Sequence, residues 1–302
     1  MIDVIIIGAG PAGITSSIYA VRKGLNILVL TLDIGGQAAW SGDVENYTGF
    51  RFVSGPQLAS EFEKHMKEYK IRVNEGEEVL RIEKKYDIVL VKTSKSDYEA
   101  KSVIIASGKR AKELGVSGEK EYKNKGLTYC ATCDGPLFKG KTVAVIGGGN
   151  AALDAVLSLV NIAEHIYVIN ISKELTADKI LEDKVRQAKN VTVMNSAEVK
   201  AVLGKAMVDA IKVSEGRSDE KELAVKGIFV EIGLIPNSGF ADIVKKSKEG
   251  EIVVNSYNQT NIPGIFAAGD VTDVPEKQII IAAGEGAKAA LSAFSYLSRR
   301  FT

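Results

Sequence analysis

Residues that build metal sites and disulfide scaffolds are scarce in this 302-residue chain, which has only two cysteines, two histidines and one tryptophan. A zinc site needs about four ligands, and both histidines, His65 and His165, lie far in sequence from the cysteines. A secreted domain stapled by several disulfides needs more cysteine pairs. We therefore expect no metal site and a chain that works in the cytoplasm.

Long apolar runs and an excess of one charge are absent too. No uninterrupted run approaches the roughly 18 to 20 apolar residues of a membrane span. The formal net charge of +1 gives no global field that would attract nucleic acid or an anionic membrane. Single cores stop growing near about 250 to 300 residues. We therefore expect two domains, with neither nucleic acid nor a membrane as a partner.

The chain opens on a buried strand that leads into a dinucleotide-binding turn. Residues 3 to 8 form a β-branched run, and Gly8, Gly10 and Gly13 follow in Gly-x-Gly-x-x-Gly spacing before a helical stretch. In this motif the first glycine permits the tight turn, the second lets a pyrophosphate approach the backbone, and the third lets the helix pack on the strand. Thr31 ends the next strand, where an acid usually holds a ribose, so adenosine recognition is expected to use backbone groups.

A second dinucleotide turn lies in the middle of the chain. The strand predicted at 142 to 146 leads into Gly147, Gly149 and Ala152, the variant that accepts alanine at the third position. After the next strand, a 2′-phosphate needs arginines and a 2′-hydroxyl usually needs an acid. The sequence has the neutral Asn170 there. We predict a preference for NADH or poor discrimination from NADPH; alternatively, this fold no longer binds a nicotinamide efficiently.

The two cysteines, Cys130 and Cys133, stand between these turns in a Cys-x-x-Cys arrangement, followed at once by Asp134. Two intervening residues hold the sulfurs close enough to bond and leave one thiolate free to attack a partner. The alternatives are half a zinc site and two inert buried thiols. The βαβ patterning around the pair favours redox chemistry.

A third segment resembling a ligand-binding edge lies near the end of the sequence. A strand predicted at 264 to 269 ends in Gly269-Asp270, which places a carboxylate where it can accept hydrogen bonds from a sugar or ribityl chain. The helix predicted from about residue 278 to 297 then directs its positive N-terminus at the same ligand. A further strand, predicted at 227 to 232, precedes a turn at Gly233.

Six ordered motifs resemble the low-molecular-weight thioredoxin reductase family over almost the whole chain. The segments 136–141, 181–184 and 277–281 look more like the flavoprotein reductase subunit of alkyl hydroperoxide reductase. That subunit carries an additional thioredoxin-like region, whereas this sequence begins at the first strand, so we expect such a partner to be a separate protein. The six motifs are Gly8 to Gly13, Gly35-Gly36-Gln37, Glu45-Asn46, Cys130 to Gly135, Gly147 to Ala152 and Ala267 to Asp270.

The resemblance implies bound FAD, NADH or NADPH as co-substrate, and a homodimer. The candidate FAD-binding residues are Gly8, Gly10, Pro11, Ala12, Gly13, Thr31, Gly35, Gly36, Gln37, Asn46, Val79, Ala106, Ser107, Gly108, Gly269, Asp270, Lys277, Gln278 and Ile279. The candidate residues for the nicotinamide nucleotide are Gly147, Gly149, Asn150, Ala151, Ala152, Asn170, Ile232 and Gly233.

The resemblance also implies the catalytic roles. Cys133 would be the sulfur beside the flavin, Cys130 the one that exchanges with the protein substrate, and Asp134 the acid that manages the thiol proton. Electrons would pass from a nicotinamide through FAD and this pair to a disulfide of a thioredoxin-, glutaredoxin- or tandem thioredoxin-fold protein.

Because the strand at 166 to 169 is not followed by the expected arginines, electron donors other than a nicotinamide remain as alternatives. The main alternative is the same disulfide reductase driven by reduced ferredoxin. Two further alternatives remain. The first is a ferredoxin–nicotinamide reductase, which the cysteine pair argues against because that reaction needs no dithiol. The second is a flavin-bound redox sensor, which would bind partners without turnover.

We therefore predict an α/β fold of two Rossmann-like (three-layer ββα) nucleotide-binding domains, the second inserted into the first. Residues 1–112 and 235–302 are expected to form the FAD-binding domain. Residues 113–234 are expected to form the nicotinamide-binding domain that carries the redox disulfide.

Overall fold

The computed structural model describes residues 1–41, 43–44, 46–129, 131–216 and 220–300. It forms two compact units, one built from Met1–Arg110 with Ile235–Thr302 and the other from Ala111–Leu234. The second unit therefore interrupts the sequence of the first.

The elements follow one another in three stretches of the chain. The first contains β1 (Ile2–Ala9), α1 (Pro11–Arg22), β2 (Ile27–Ile34), α2 (Gln37–Trp40), β3 (Asp43–Val44), β4 (Val53–Ser54), α3 (Gly55–Glu68), β5 (Val73–Glu75), β6 (Val79–Lys85), β7 (Ile88–Thr93), β8 (Asp97–Ile105) and β9 (Lys109–Ala111). The second contains α4 (Glu119–Tyr122), β10 (Leu127–Thr128), α5 (Ala131–Asp134), a 3-10 turn (Gly135–Phe138), β11 (Thr142–Ile146), α6 (Asn150–Leu159), β12 (His165–Ile169), α7 (Lys179–Gln187), β13 (Val191–Met194), β14 (Ala197–Gly204), β15 (Val208–Glu215), β16 (Lys221–Ala224), β17 (Gly227–Val230) and β18 (Leu234–Pro236). The last contains β19 (Ile265–Ala267) and α8 (Ile279–Arg300).

The first unit is organised around a sheet in which β5, β2, β1, β8 and β19 are parallel neighbours. The antiparallel strands β7 and β6 extend it beyond the first half of β8. Ile6 on β1 pairs with Val29 on one side and Ile104 on the other. The β-branched run at the start of the chain is thus buried on both faces, as its composition predicts.

Helices α1 and α8 cover one face of this sheet and pack closely on each other. Their backbones approach because small residues lie at the contact. The Ser16 hydroxyl donates to the carbonyl of Ala12 on its own helix (2.8 Å) and to that of Gly286 on α8 (2.9 Å).

The second unit has a parallel sheet in the order β10, β17, β11, β12, β13. An antiparallel sheet, β14–β15–β16, packs on one face of it, and α6 lies on the other. Each unit therefore has helices, a parallel sheet and antiparallel strands, which confirms the α/β fold of two Rossmann-like units with one inserted into the other.

Element ends differ from the sequence predictions where backbone geometry changes. The strand predicted at 227 to 232 ends at Val230, because Gly233 turns the chain away with φ +104°. Helix α8 continues to Arg300, three residues past its predicted end. Within the described ranges no helix is long and apolar enough to cross a membrane, and no cluster of three or more potential metal ligands is found.

The α1–α8 contact predicts opposite effects for two glycines of α8. A Cβ on Gly286 would lie 2.1 Å from the Ala12 carbonyl oxygen, so Gly286→Ala must separate the helices and should lower the free energy of unfolding by about 1 to 3 kcal/mol. A Cβ on Gly284 would meet nothing within 4 Å, so Gly284→Ala should raise stability by about 0.5 to 1 kcal/mol through helix propensity. Urea unfolding followed by circular dichroism measures both, and equal effects would contradict this packing.

Candidate nucleotide and dithiol sites

The candidate FAD residues of the first unit gather at one edge of its sheet. Because β1, β2, β8 and β19 are parallel, their carboxyl ends share that edge, which is where ligands bind in such sheets. The turns that follow these strands contain Gly10; Gly35 and Gly36; Ala106, Ser107 and Gly108; and Gly269 and Asp270.

These turns are in close contact. A Cβ on Gly8 would lie 2.3 Å from the Ala106 carbonyl oxygen, and one on Gly13 would lie 1.9 Å from the Gly8 carbonyl oxygen. Glycine is required at both positions by the packing of the protein itself. A Cβ on Gly36 would approach the Cα of Gly10 to 3.3 Å, which brings the second turn against the first.

Gly10 differs, because nothing in the fold requires a glycine there. Its φ of −78° and ψ of −173° suit any residue, and an added Cβ would meet only the Gly35 carbonyl oxygen, at 4.0 Å. Helix α1 starts at Pro11 without a side-chain cap and has no acid in its first turn, so its first amides remain available to an anion. This open cradle fits a dinucleotide pyrophosphate.

Thr31 and Val79 serve the fold of the first unit. The buried Thr31 hydroxyl donates to the Asp33 carbonyl (2.5 Å) and accepts from the Ala9 amide (3.2 Å), so it is not free for a ribose. Val79 is a core residue at the start of β6. Close to it, the Glu77 amide donates to the Thr31 carbonyl (3.0 Å). Thr31 and Glu77 are thus bonded to each other through their backbones, and adenosine recognition by backbone groups stays a prediction.

The entrance to α8 joins segments far apart in sequence. The Asn46 amide group donates to the Gln278 side-chain oxygen (3.0 Å), and Ile279 begins the helix. Gln37 begins the short α2 after the second turn. The sequence placed Asn46 and Gln278 at one ligand, and the structure brings them together.

Lys277 already has partners within the protein. Its ammonium donates to the Thr272 carbonyl (2.5 Å) and pairs with Glu251 (3.1 Å), which also pairs with Lys109 (2.7 Å). Burial raises the pKa of Asp270, while Lys277 and Lys109 oppose this. The two lysines thus limit the cost of burying the carboxyl that is expected to face the ribityl chain.

Two further contacts shape the same edge. The buried Glu285 carboxylate accepts from the Gly269 amide (3.0 Å), a role that its position in an amphipathic helix does not reveal. The Ser107 hydroxyl donates to the Asn237 carbonyl (2.7 Å), and the Asn237 amide group donates back to the Ser107 carbonyl (2.9 Å). The Ser107 side chain therefore binds the segment around Asn237, where the sequence re-enters the first unit.

The second unit repeats this arrangement at the carboxyl ends of β10, β17, β11 and β12. Gly147 to Gly149 follow β11, Asn170 follows β12, and Ile232 and Gly233 lie just beyond β17. Gly147 is required by packing, since its Cβ would lie 2.3 Å from the Glu231 carbonyl oxygen.

Gly149, like Gly10, is not required by the protein. Its φ of −94° and ψ of −176° suit any residue, and a Cβ would meet nothing closer than the Thr176 hydroxyl at 3.8 Å. Helix α6 also starts without a side-chain cap or an acid in its first turn. The second cradle therefore fits a second pyrophosphate.

Asn170 is buried and its side chain is already hydrogen-bonded. Its amide group donates to the Glu174 carbonyl (2.9 Å) and to the Asn195 side chain (2.8 Å), and its oxygen accepts from the Ser172 amide (3.2 Å). A Cβ on Gly148 would lie 2.4 Å from that oxygen. Asn170 thus shapes the loop after β12, and it does not offer a free group to a ribose.

The candidate residues at the start of α6 have separate surroundings. Asn150 pairs with Asp178, donating to its carboxylate (3.0 Å) and accepting from its backbone amide (2.7 Å). Ala152 is buried against Gly147, whereas Ala151 is exposed. The Gly233 carbonyl accepts from the Lys112 amide (3.0 Å). The two hydrogen bonds between Asn150 and Asp178 join the start of α6, next to the glycine turn, to the end of the loop after β12.

The cysteine segment follows β10 at this same edge. Cys130, like Glu45, lies outside the described residues, and the description of Cys133 is limited to its backbone position in α5. The Asp134 carboxylate accepts a hydrogen bond from the Thr128 hydroxyl. Asp134 is thus fixed between β10 and the end of α5.

A buried carboxylate, missed by sequence reasoning, supports the start of this segment. Glu119 accepts hydrogen bonds from the Leu114 amide (2.6 Å), the Gly115 amide (2.7 Å) and the Tyr129 hydroxyl (2.8 Å). Burial and Glu119 together raise the pKa of Tyr129 well above its usual range. Tyr129, which directly precedes Cys130 in the sequence, therefore stays neutral as a hydrogen-bond donor to Glu119.

Comparison with known proteins gives a consistent family. Residues 2–286 match the pyridine nucleotide-disulphide oxidoreductase family. The chain is 43% identical over 302 residues to an NADH dehydrogenase of Ferdinandcohnia aciditolerans, covering 99% of this chain and 58% of that protein. It is 43% identical over 303 residues to the F subunit of alkyl hydroperoxide reductase of Pseudomonas putida, covering 98% of this chain and 58% of that protein. The chain thus spans less than two thirds of these curated relatives.

A solved structure matches over the whole length of both chains. Thioredoxin reductase from Lactococcus lactis superposes with a TM-score of 0.84 at 30% identity, covering 99% of this chain and 100% of that one. The chain belongs to the pyridine nucleotide-disulphide oxidoreductases and is of the low-molecular-weight thioredoxin reductase type. Membership implies FAD and NAD(P)H as its cofactors, which fits the two open cradles.

The open position at Gly10 predicts a selective loss of flavin. In Gly10→Ala the new methyl group projects where a pyrophosphate approaches, so FAD affinity should fall at least about tenfold, or 1.4 kcal/mol. The flavin-free protein should lose less than about 1 kcal/mol of stability, because the methyl group would meet only the Gly35 carbonyl oxygen, at 4.0 Å. Flavin retained through gel filtration and fluorescence titration of released FAD measure the effect. Normal flavin content in Gly10→Ala, with Gly284→Ala as the control, would contradict this assignment.

Proposed function

We propose that the chain is a flavin-dependent disulfide reductase that uses NADH and acts on a thioredoxin-fold protein. The observation that carries this proposal is the position of the Cys-x-x-Cys segment. It follows β10 at the sheet edge that also carries the second glycine turn, while the first glycine turn belongs to the other unit. A dithiol and two dinucleotide sites are the parts that such a reductase requires.

We assign FAD to the first unit and the nicotinamide nucleotide to the second. The first unit offers α1 for the pyrophosphate, the Asp270 carboxyl for a ribityl hydroxyl, and the Asn46–Gln278 pair at the entrance to α8. The second offers the turn at Gly149 and α6. When bound, the nicotinamide supplies a hydride and FAD passes electron pairs onward.

Cys133 is assigned to accept electrons from the flavin side, and Cys130 to exchange with the partner disulfide. These roles rest on the family resemblance. Asp134 lies one residue beyond Cys133, and its carboxylate is oriented by Thr128, which supports its role in thiol proton transfer. Thiolate is the attacking species, so proton transfer at this segment contributes to the exchange rate.

NADH is the proposed donor because the loop after β12 offers no strong site for a 2′-phosphate. Asn170 is committed to that loop, and the sequence has no arginine from 170 to 178. Two acids of this loop, Glu174 and Asp178, would oppose a phosphate, with Lys173 as the loop's cation. The curated relative named NADH dehydrogenase supports the same choice.

The proposed partner is a thioredoxin-, glutaredoxin- or tandem thioredoxin-fold protein. The relatives named as thioredoxin reductase and as the F subunit of alkyl hydroperoxide reductase support it. Because the chain spans 58% of the latter, the activity of that whole protein is not carried over. A homodimer in the cytoplasm is proposed on resemblance and composition.

An anaerobic reductive titration tests this function. We expect the wild-type chain to take up about two electron pairs per FAD from NADH, one on the flavin and one on the disulfide. Cys133→Ser should take up about one, because only the flavin remains. NADPH should need at least about tenfold higher concentration for the same bleaching near 450 nm.

The other outcomes are equally informative. Uptake of one pair by both proteins would remove the dithiol from the pathway. If neither nucleotide bleached the flavin while reduced ferredoxin did, the donor assignment would be wrong and the disulfide reductase would be ferredoxin-driven.

A further inference from the structure

Glu285 is a buried acid in the second turn of α8. One oxygen of its carboxylate, Oε2, accepts hydrogen bonds from the Gly269 amide (3.0 Å) and from the Thr272 hydroxyl (3.3 Å). That hydroxyl and the Thr272 amide also donate to the Gly269 carbonyl (2.8 and 2.9 Å). Both backbone groups of Gly269 therefore have partners inside the protein, and the carboxylate holds the amide.

The Gly269 turn also packs on the start of α1. Gly269 has a φ of +77°, and a Cβ there would lie 2.9 Å from the Ala12 Cβ. Gly286, the neighbour of Glu285 on α8, meets the same residue, since its Cβ would lie 2.1 Å from the Ala12 carbonyl oxygen. One turn of α8 thus supports two parts of the first cradle: the helix start expected at the pyrophosphate and the turn that carries Asp270.

The carboxylate of Glu285 is held by an amide and a hydroxyl, not by a cation. In the part of the chain that the structure describes, none of the ion pairs involves Glu285. The two lysines that act on Asp270, Lys109 and Lys277, both pair with Glu251. Burial is the main cause of the raised pKa of Asp270, and the charge of Glu285 adds to it. Burying an acid without a cation is costly, so its contribution lies in fixing the turn.

We propose that Glu285 is a positioning residue for the flavin half of FAD, because it fixes the turn from which Asp270 meets a ribityl hydroxyl. This rests on the proposed function, which assigns FAD to the first unit. A turn that is already fixed needs no ordering when the ligand binds, so fixing it raises affinity. The adenosine and pyrophosphate half is expected at Gly10 and α1. Loss of the Glu285 contact should therefore weaken ligands that contain the ribityl chain and spare those that lack it.

Two variants of Glu285 separate its acceptor oxygen from its charge. Glu285→Met removes the acceptor at a similar side-chain length, and Glu285→Gln keeps an oxygen that can accept from the Gly269 amide. FAD is removed from each protein, its rebinding is followed by flavin fluorescence, and ADP, which lacks the ribityl chain, is added as a competitor. We expect the FAD dissociation constant to rise at least about tenfold in Glu285→Met and less than about threefold in Glu285→Gln. The inhibition constant of ADP should stay within about twofold of the wild-type value in both.

Further variants complete the test. Glu68→Gln, which changes an exposed acid at the end of α3, is the control and should keep both wild-type constants. Thr272→Val removes the hydroxyl beside the carboxylate at almost constant size, so it should also weaken FAD and spare ADP, and it decides the question should Glu285→Met fail to fold. In a double-mutant cycle, Glu285→Met should add little to the loss caused by Asp270→Asn, since both remove the same contact.

Several results would overturn the proposal. Equal weakening of FAD and ADP by Glu285→Met would mean that Glu285 supports the first unit as a whole. Equal FAD losses in Glu285→Gln and Glu285→Met would assign the effect to the charge, and independent losses in the cycle would mean that Glu285 does not act through Asp270. Normal FAD binding by Gly10→Ala would instead overturn the assignment of FAD to the first unit, and the role of Glu285 would fall with it.

Discussion

The structure depends on one constraint: strands that run parallel bring all their carboxyl ends to a single edge. In each unit the chain leaves that edge through turns whose amides and carbonyls lack strand partners, so the edge is a place where a ligand can be held. The first glycine turn stands at one such edge. The second glycine turn, the loop after β12 and helix α5 of the cysteine segment stand at the other, in the unit that we propose to bind the nicotinamide nucleotide.

The glycines at these edges are of two kinds: some are required by the packing of the protein, and others leave room for a ligand. Gly8, Gly13 and Gly147 are required because another part of the backbone lies where a side chain would be. Gly10 and Gly149 have ordinary backbone angles and open space around them. The absence of a side chain at these two positions leaves room for a ligand that approaches from outside the protein. A motif that reads as one pattern in sequence thus combines packing requirements with a requirement set by the ligand.

The fold and the glycine turns were predictable because they depend on local periodicity and spacing. The β-branched run before Gly8 and its repeat before Gly147 are short-range signals. The roles of Glu119 and Glu285 were not predictable, since an acid has the same sequence signature whether it is solvated or buried against a distant amide. Asn170 illustrates the same limit: its position suggested a ribose ligand, but its partners are supplied by residues up to 25 positions away.

The central claim is that the two cradles hold different nucleotides, and Gly149→Ala tests it most directly. The added methyl group should block the second cradle alone. We expect the purified variant to keep its yellow flavin and to be bleached by dithionite, but to be reduced by NADH far more slowly than the wild-type chain. Reduction by NADH at the wild-type rate, or loss of the flavin on purification, would contradict the assignment of the two sites.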